Sequence, residues 1–296
     1  MRRVAAVLAV LAAVGVCGAA SGGAGDERDL SAYTGLATWV DLYDPHILAR
    51  PESSVTAMAK HDVRTLFFET SNYQMRQDVV RRDRVDRFIA AAHAQGLQIV
   101  AWYLPSLTDL SRDLRRSLAA VNYTTSTGEQ FDSFALDIEA TLVRSPSLRN
   151  ARLLQLATRL RAAAPQELAL GAIVPSPRGM QLLPWYWPRF PVAELARSFD
   201  VFLPMGYFTY RPHYPGGSAA YTLTNIKLLR EGTGNPVLPV HAIGGLAGVA
   251  TPSQVRGFER AARTGAAIGS SLYDFASTTS RQWPHLQASN DLPTSG

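Results

Sequence analysis

The sequence predicts an α/β fold, a single-domain (β/α)8 TIM barrel, on three observations. Short apolar runs alternate with amphipathic stretches eight times along the chain, and such alternation over about 250 residues implies a closed parallel sheet wrapped by helices. No glycine-rich phosphate loop follows an early strand, which disfavours the doubly wound open sheet. The stretch Phe131–Glu139 (Phe-Asp-Ser-Phe-Ala-Leu-Asp-Ile-Glu) reads as one buried strand ending in two acids. Alternation along a strand puts Phe134, Leu136 and Ile138 on one face and Ala135, Asp137 and Glu139 on the other. Two buried carboxylates side by side are costly unless they have a partner or a use.

The chain of 296 residues is long enough to bury a large core, and its N-terminus sets the expected compartment. Met1-Arg2-Arg3 is a short basic start, Val4 to Val16 an apolar run, and Gly18 and Ala20 are placed for cleavage after Ala20. Residues 1–20 are therefore read as a secretory signal peptide, too short for an ordinary membrane span. Cys17 follows Val16, bulkier than lipoprotein attachment sites accept, so export without an anchor is expected. Cys17 is the only cysteine, so disulfide and thiol chemistry are not expected of the mature chain. The formal charge of +5 falls by two with Arg2 and Arg3, and the remaining arginines are scattered, which argues against a nucleic-acid-binding stripe. Residues 21–32 are Gly, Ser and charged residues and read as a flexible linker.

The barrel is expected over residues 33–290. Strands are predicted at Gly35–Asp41, Val63–Glu69, Leu97–Tyr103 and Phe131–Glu139, then at Leu168–Val174, Asp200–Tyr207, Val237–His241 and Ala266–Tyr273. Helices are predicted at Pro51–His61, with Pro51 suited to a first turn, and at Arg84–Gln95, stopped by Gly96. Others are placed near Asp109–Val121, Leu148–Ala164, Ala219–Arg230, Pro252–Arg263 and Ser277–Leu286.

Active sites of such barrels lie at the C-terminal ends of the strands. Those ends carry Asp41, Glu69, Tyr103, Asp137, Glu139, Met205, Tyr207, His241, Tyr273 and Asp274. There is no Ser-His-Asp elbow, and His241 lacks a clustered metal partner, so no metal or organic cofactor is expected. Carboxylates among aromatic rings suit sugar chemistry: one acid protonates the leaving oxygen, a second group stabilises or attacks the sugar carbon, and flat rings receive the C–H faces.

The strand Phe131–Glu139 resembles the strand-four motif of glycoside hydrolase family 18, the chitinase-like barrels, usually written Asp-Gly-x-Asp-x-Asp-x-Glu. Asp132, Asp137 and Glu139 match its acids, while Ser133 replaces the glycine and Ala135 the second Asp. Met205-Gly206-Tyr207-Phe208 is similar to the family's Met-x-Tyr-Asp, with Phe208 for the Asp. The resemblance implies that Glu139 is a general acid, that Asp137 orients an acetamido group acting as internal nucleophile, and that Tyr207 hydrogen-bonds the same group. Ala135 removes an acid that normally shares a proton with its neighbour, so other pairings of Glu139, with Glu69 or Asp274, stay open.

The expected partner is a carbohydrate substrate, bound by an exported monomer. The alternative reading is a non-catalytic carbohydrate-binding barrel that has lost turnover with the acid at position 135. A third, a phosphate-binding metabolic barrel, would use Gly244-Gly245. Each candidate also has a purely structural reading. Asp137 and Glu139 could be ion-paired with Arg178 or Arg211, and Asp132 could cap a turn. Asp41 and Glu69 could bond loops, His241 could be a satisfied hydrogen-bonding residue, and Trp185-Tyr186-Trp187 could be a packed lid instead of a sugar platform.

Overall fold

The computed structural model describes residues 28–292; the expected signal segment, its cleavage point and Cys17 lie outside the described residues. The first half runs β1 (Gly35–Val40), α1 (Pro45–Leu48), α2 (Pro51–Ala59), β2 (Thr65–Asn72), α3 (Arg82–Ala94), β3 (Gln98–Leu104), α4 (Leu110–Val121), β4 (Ser133–Asp137) and α5 (Pro146–Ala163). The second half runs β5 (Leu170–Pro175), α6 (Pro177–Leu182), α7 (Val192–Leu195), β6 (Val201–Met205), α8 (Gly217–Thr233), β7 (His241–Leu246), α9 (Pro252–Thr264), β8 (Gly269–Tyr273) and α10 (Trp283–Leu286). The eight strands are parallel, pair in sequence order and close through β1 and β8: a (β/α)8 barrel. Among the described residues no helix is long and apolar enough to cross a membrane.

Local chemistry starts the helices where the barrel needs them. Proline stands in the first turn of α5 and α9, where its missing N–H costs no helical bond. Ser145 caps α5, and Thr251 with Gln254 forms a reciprocal capping box on α9. Strand alternation then separates two apolar layers. Phe134, Leu136 and Ile138 of the β4 segment belong to the outer layer under the helices, with Leu153, Leu156 and Leu160 of α5. Ala37, Trp39, Phe67, Val100, Trp102, Ala135, Ile173 and Leu203 fill the barrel interior.

The N-terminal end of the barrel is closed by hydrogen-bonded polar groups. Tyr33 is fully buried; its hydroxyl bonds Ser133 Oγ at 2.7 Å and donates to Phe134 O at 2.9 Å. His241, also fully buried, bonds Tyr33 O through Nδ1 at 2.9 Å and Ser271 Oγ through Nε2 at 3.0 Å. Gly269 is required there, because a Cβ would lie 2.4 Å from both His241 Nδ1 and Tyr33 O.

Four sequence expectations are corrected here. Residues 28–32, read as linker, are packed: Arg28 pairs with Asp200 at 2.9 Å and Ser31–Tyr33 form a helical turn. The seventh strand begins at His241 instead of ending there, because Pro236 and Pro239 offer no N–H to a ladder and Val237 points to solvent. The eighth begins at Gly269, after Ala266 takes a left-handed turn with φ 48°. The last helix shrinks to Trp283–Leu286, because Asp274 and Gln282 spend their side chains on the backbone of Ser277 and Thr279.

Candidate active site at the barrel mouth

The site grows out of the β4 alternation. Asp137 is the last residue of β4 and faces the interior, and the ladder continues through Ile138 N–H to Ile173 O at 2.8 Å. Glu139 therefore stays on the interior side, at the top. Its backbone carbonyl accepts a hydrogen bond from Tyr186 Oη at 3.0 Å, which fixes it against the loop after α6. Glu139, Met205, Gly206 and Tyr207 line one cavity of about 330 Å3 together with Ser176, Met180, Tyr186, Tyr210 and Tyr221.

Electrostatics at this mouth favour protonated carboxyls. Asp137 is 7 % exposed, and its Oδ1 is buried without a hydrogen-bond partner. Burial, then the nearby Glu139 and Glu69, raise its pKa well above the carboxylate range. Burial likewise raises Glu139. Glu69 on β2 is 2 % exposed and is pushed up to about 7 by burial, with Asp41 and Glu139 adding to the rise. Two donors hold Glu69 in place, Leu42 N–H and Asn72 Nδ2, each at 2.9 Å. None of the three acids is ion-paired among the described residues. Arg178 instead bonds Tyr214 Oη and Gln181 Oε1, and Arg211 bonds Tyr210 O, so the structural reading in which an arginine clamps these acids is set aside.

The remaining candidates divide by strand parity. Tyr207 sits at φ 42°, ψ 52°, its ring edge-on to Tyr210 and Tyr273 with centroids 5.8 and 6.5 Å apart. Burial, then Asp137 and Glu139, keep its hydroxyl protonated. The space beside it is not open: a Cβ at Gly206 would meet Ile243 O at 2.6 Å, so glycine permits a close strand approach. Asp41 accepts from Tyr273 Oη at 2.5 Å and from Tyr43 N–H at 2.7 Å, which ties β1 to β8 across the closure. Asp274 accepts from Ser277 N–H and Oγ and shapes the loop after β8.

Two candidates leave the site. Tyr103 faces outward, fully buried under α4, where its hydroxyl donates to Asp113 Oδ1 at 2.7 Å. Its neighbour Trp102 is the inward residue, in register with Glu69 and Ala135. His241 lies at the opposite pole, and burial lowers its pKa to about 4, so it is neutral. Phe208, which stands for the Asp of the strand-six motif, is 2 % exposed in the outer layer beside Phe258, where a carboxylate would be desolvated. Of the aromatic triplet, Trp185 is 73 % exposed, Tyr186 lines the cavity, and Trp187 is buried, donating to Asn150 Oδ1 at 2.6 Å.

Sequence reasoning missed Trp39 and Trp102 inside the barrel, Asn72 beside Glu69, and Ser176 and Tyr221 in the cavity wall. Counting parity back from Asp41 reaches Trp39, and Trp102 is the β3 residue of opposite parity to Tyr103, paired with Glu69 across the strands. Among the described residues no group of three or more His, Cys, Asp or Glu side chains is arranged to hold a metal ion.

No family model matches the chain, and no curated protein matches it. Solved structures do. A chitinase from Bacteroides thetaiotaomicron is 12 % identical with a TM-score of 0.64, over 88 % of this chain and 95 % of that one. A GH18 chitinase mutant from Cycas revoluta, in complex with (GlcNAc)4, is 11 % identical with a TM-score of 0.64, over 87 % and 99 %. The endo-beta-1,4-mannanase from Thermotoga petrophila is 10 % identical with a TM-score of 0.64, over 88 % and 77 %. At these identities the likeness is one of fold, a closed (β/α)8 barrel similar to those of the two chitinases and the mannanase.

Proposed function

We propose that this chain is an exported glycoside hydrolase that cleaves O-glycosidic bonds of a polysaccharide or cell-wall glycan, with Glu139 as general acid. The observation that carries the reading is Glu139 on the wall of a cavity, without an ion-pair partner among the described residues and with its carboxyl pKa raised by burial. A protonated carboxyl there gives its proton to the leaving glycosidic oxygen as the C1–O bond breaks. Water then adds its hydroxyl to C1 and returns a proton to the Glu139 carboxylate. Asp137, buried two residues before Glu139 on the same strand face, and Tyr207 on the cavity wall would steady the group that stabilises the sugar carbon, an acetamido oxygen if the substrate is an N-acetyl sugar. Glu69 supplies from β2 part of the negative field that the missing acid at Ala135 would have supplied. Carbohydrate as substrate class is supported by neighbours whose names include chitinase and mannanase. Export rests on the N-terminal sequence.

The test is Glu139→Gln, assayed on a panel of chitin, mannan and cell-wall glycans. Turnover is expected to fall about 10²–10⁴-fold with binding retained. A wild-type protein that binds glycans and cleaves none of them would establish the non-catalytic binding barrel instead.

A further inference from the structure

The cavity beside Glu139 holds one feature that the cleavage chemistry leaves unused. Of its thirteen lining residues only two carry ionisable charge, Glu139 and Arg211. Arg211 is ion-paired neither with Glu139 nor with any other acid among the described residues, so the cavity contains a cation without a bound counter-charge. Arg211 is fixed by its backbone: its N–H donates to Phe208 O at 2.9 Å, and its carbonyl accepts from Tyr214 N–H at 3.0 Å. Its guanidinium spends one donor on Tyr210 O at 3.0 Å and has no acidic partner among the described residues. A guanidinium has five donors in a planar fork, so most of the hydrogen-bonding capacity of this lining residue is left without a protein acceptor among the described residues. The rest of the lining is mixed, as a sugar site requires: Tyr207 and Tyr210 stand with apolar Met180 and Leu183, while the Ser176 and Tyr221 hydroxyls bond one another at 2.8 Å.

Building on the glycosidase reading, we propose that Arg211 reads a carboxylate on the glycan, so that the substrate class is an acidic polysaccharide. The sugar unit bound next to the cleaved bond carries either a uronate or a carboxyalkyl ether. Planar carboxylate and planar fork match in a two-bond geometry that a neutral hydroxymethyl cannot reproduce. The preference lies in binding and is separable from turnover.

The test compares two oligosaccharide pairs, a uronate oligomer and a carboxyalkyl-ether amino-sugar oligomer, each against its carboxyl-reduced counterpart. Calorimetry on the wild-type chain and on Glu139→Gln at neutral pH reads affinity, and a parallel assay reads cleavage. At least one acidic oligomer is expected to bind about tenfold more tightly than its reduced form, and which pair does so names the source of the carboxylate. The preference should shrink with added salt, vanish in Arg211→Gln and return in part in Arg211→Lys. Equal binding of acidic and reduced forms by the wild type, no binding of any of the four, or a preference that survives in Arg211→Gln would overturn the proposal. Preferential binding without cleavage of any oligomer would uphold it while removing the glycosidase reading.

Discussion

The two ends of one barrel treat buried polar groups in opposite ways. At the N-terminal floor the two large polar groups of the plug have partners, both His241 nitrogens being bonded and the Tyr33 hydroxyl reaching Ser133 and Phe134, while Thr65 Oγ1 alone is buried there without one. At the C-terminal mouth, Asp137 Oδ1 is buried with no partner, and three neighbouring acids face one another without a cation. Leaving a buried polar atom unpaired costs about 1–3 kcal/mol, so an arrangement kept at that cost marks a place reserved for something else. Satisfied polarity at the floor is structure, and unsatisfied polarity at the mouth is a site.

That contrast breaks most visibly at Asp137. Asp137→Asn should lower turnover by about 10²–10⁴-fold while the melting temperature holds or rises, because the variant relieves a buried, mutually repelling carboxyl. Thermal unfolding and glycan cleavage on the same preparation decide it. A variant that loses stability and keeps activity would make Asp137 a floor-type residue.

The converse experiment lies at the floor. Tyr33→Phe removes the hydroxyl and strands its partners, so it should cost about 1–3 kcal/mol in a urea melt. Its kcat should match the wild type, since Tyr33 and the cavity lie at opposite poles of the barrel.

How far the sequence shows this contrast depends on parity and pole. The closed barrel was legible because buried parallel strands read as apolar runs at regular spacing, and Asp137 and Glu139 were legible because they share the interior parity with Ala135. Tyr103 was misplaced because position at a strand end was weighed without parity, and parity turns it toward Asp113. His241 was misplaced because two prolines obscure where its strand begins, which moved it from one pole to the other. Ser176, Tyr221 and Arg211 were out of reach as a cavity wall, because their convergence depends on how the loops after β5 and β6 pack on α8.

A smaller effect tests whether the mouth acids act as one field. Glu69→Gln keeps the side chain's size and removes its negative charge, so Asp137, whose pKa Glu69 helps to raise, loses its proton at lower pH. If Asp137 must be protonated for Glu139 to deliver its proton, the alkaline limb of the activity profile should move to lower pH, with the acid limb less affected. An unmoved limb would show that Glu69 serves only the loop at Leu42.

The smallest effect concerns stability against pH, where the two poles pull in opposite directions. His241 is lowered from 6.5 to about 4 in the fold, so the unfolded chain binds the extra proton between those values and stability rises with pH there. Glu69 and Glu259 are raised from 4.5 to about 7 and about 8, so their stabilisation is complete below 4.5 and is lost as pH climbs through those folded values. Below about pH 6.5 the two trends offset one another; between 6.5 and 8 only the carboxyls act, and the melting temperature should fall. Glu259 is buried behind β8, bonded by Ser270 Oγ at 2.8 Å and Ser289 Oγ at 2.7 Å, far from any role in cleavage. Glu259→Gln retains an acceptor and a donor for those serines and does not ionise, so it should flatten the decline without changing kcat. A wild-type melting temperature that stays level or rises from pH 6.5 to 8 would mean that these acids ionise in the fold as freely as in water, and the distinction between a satisfied floor and a strained mouth would lose its energetic basis.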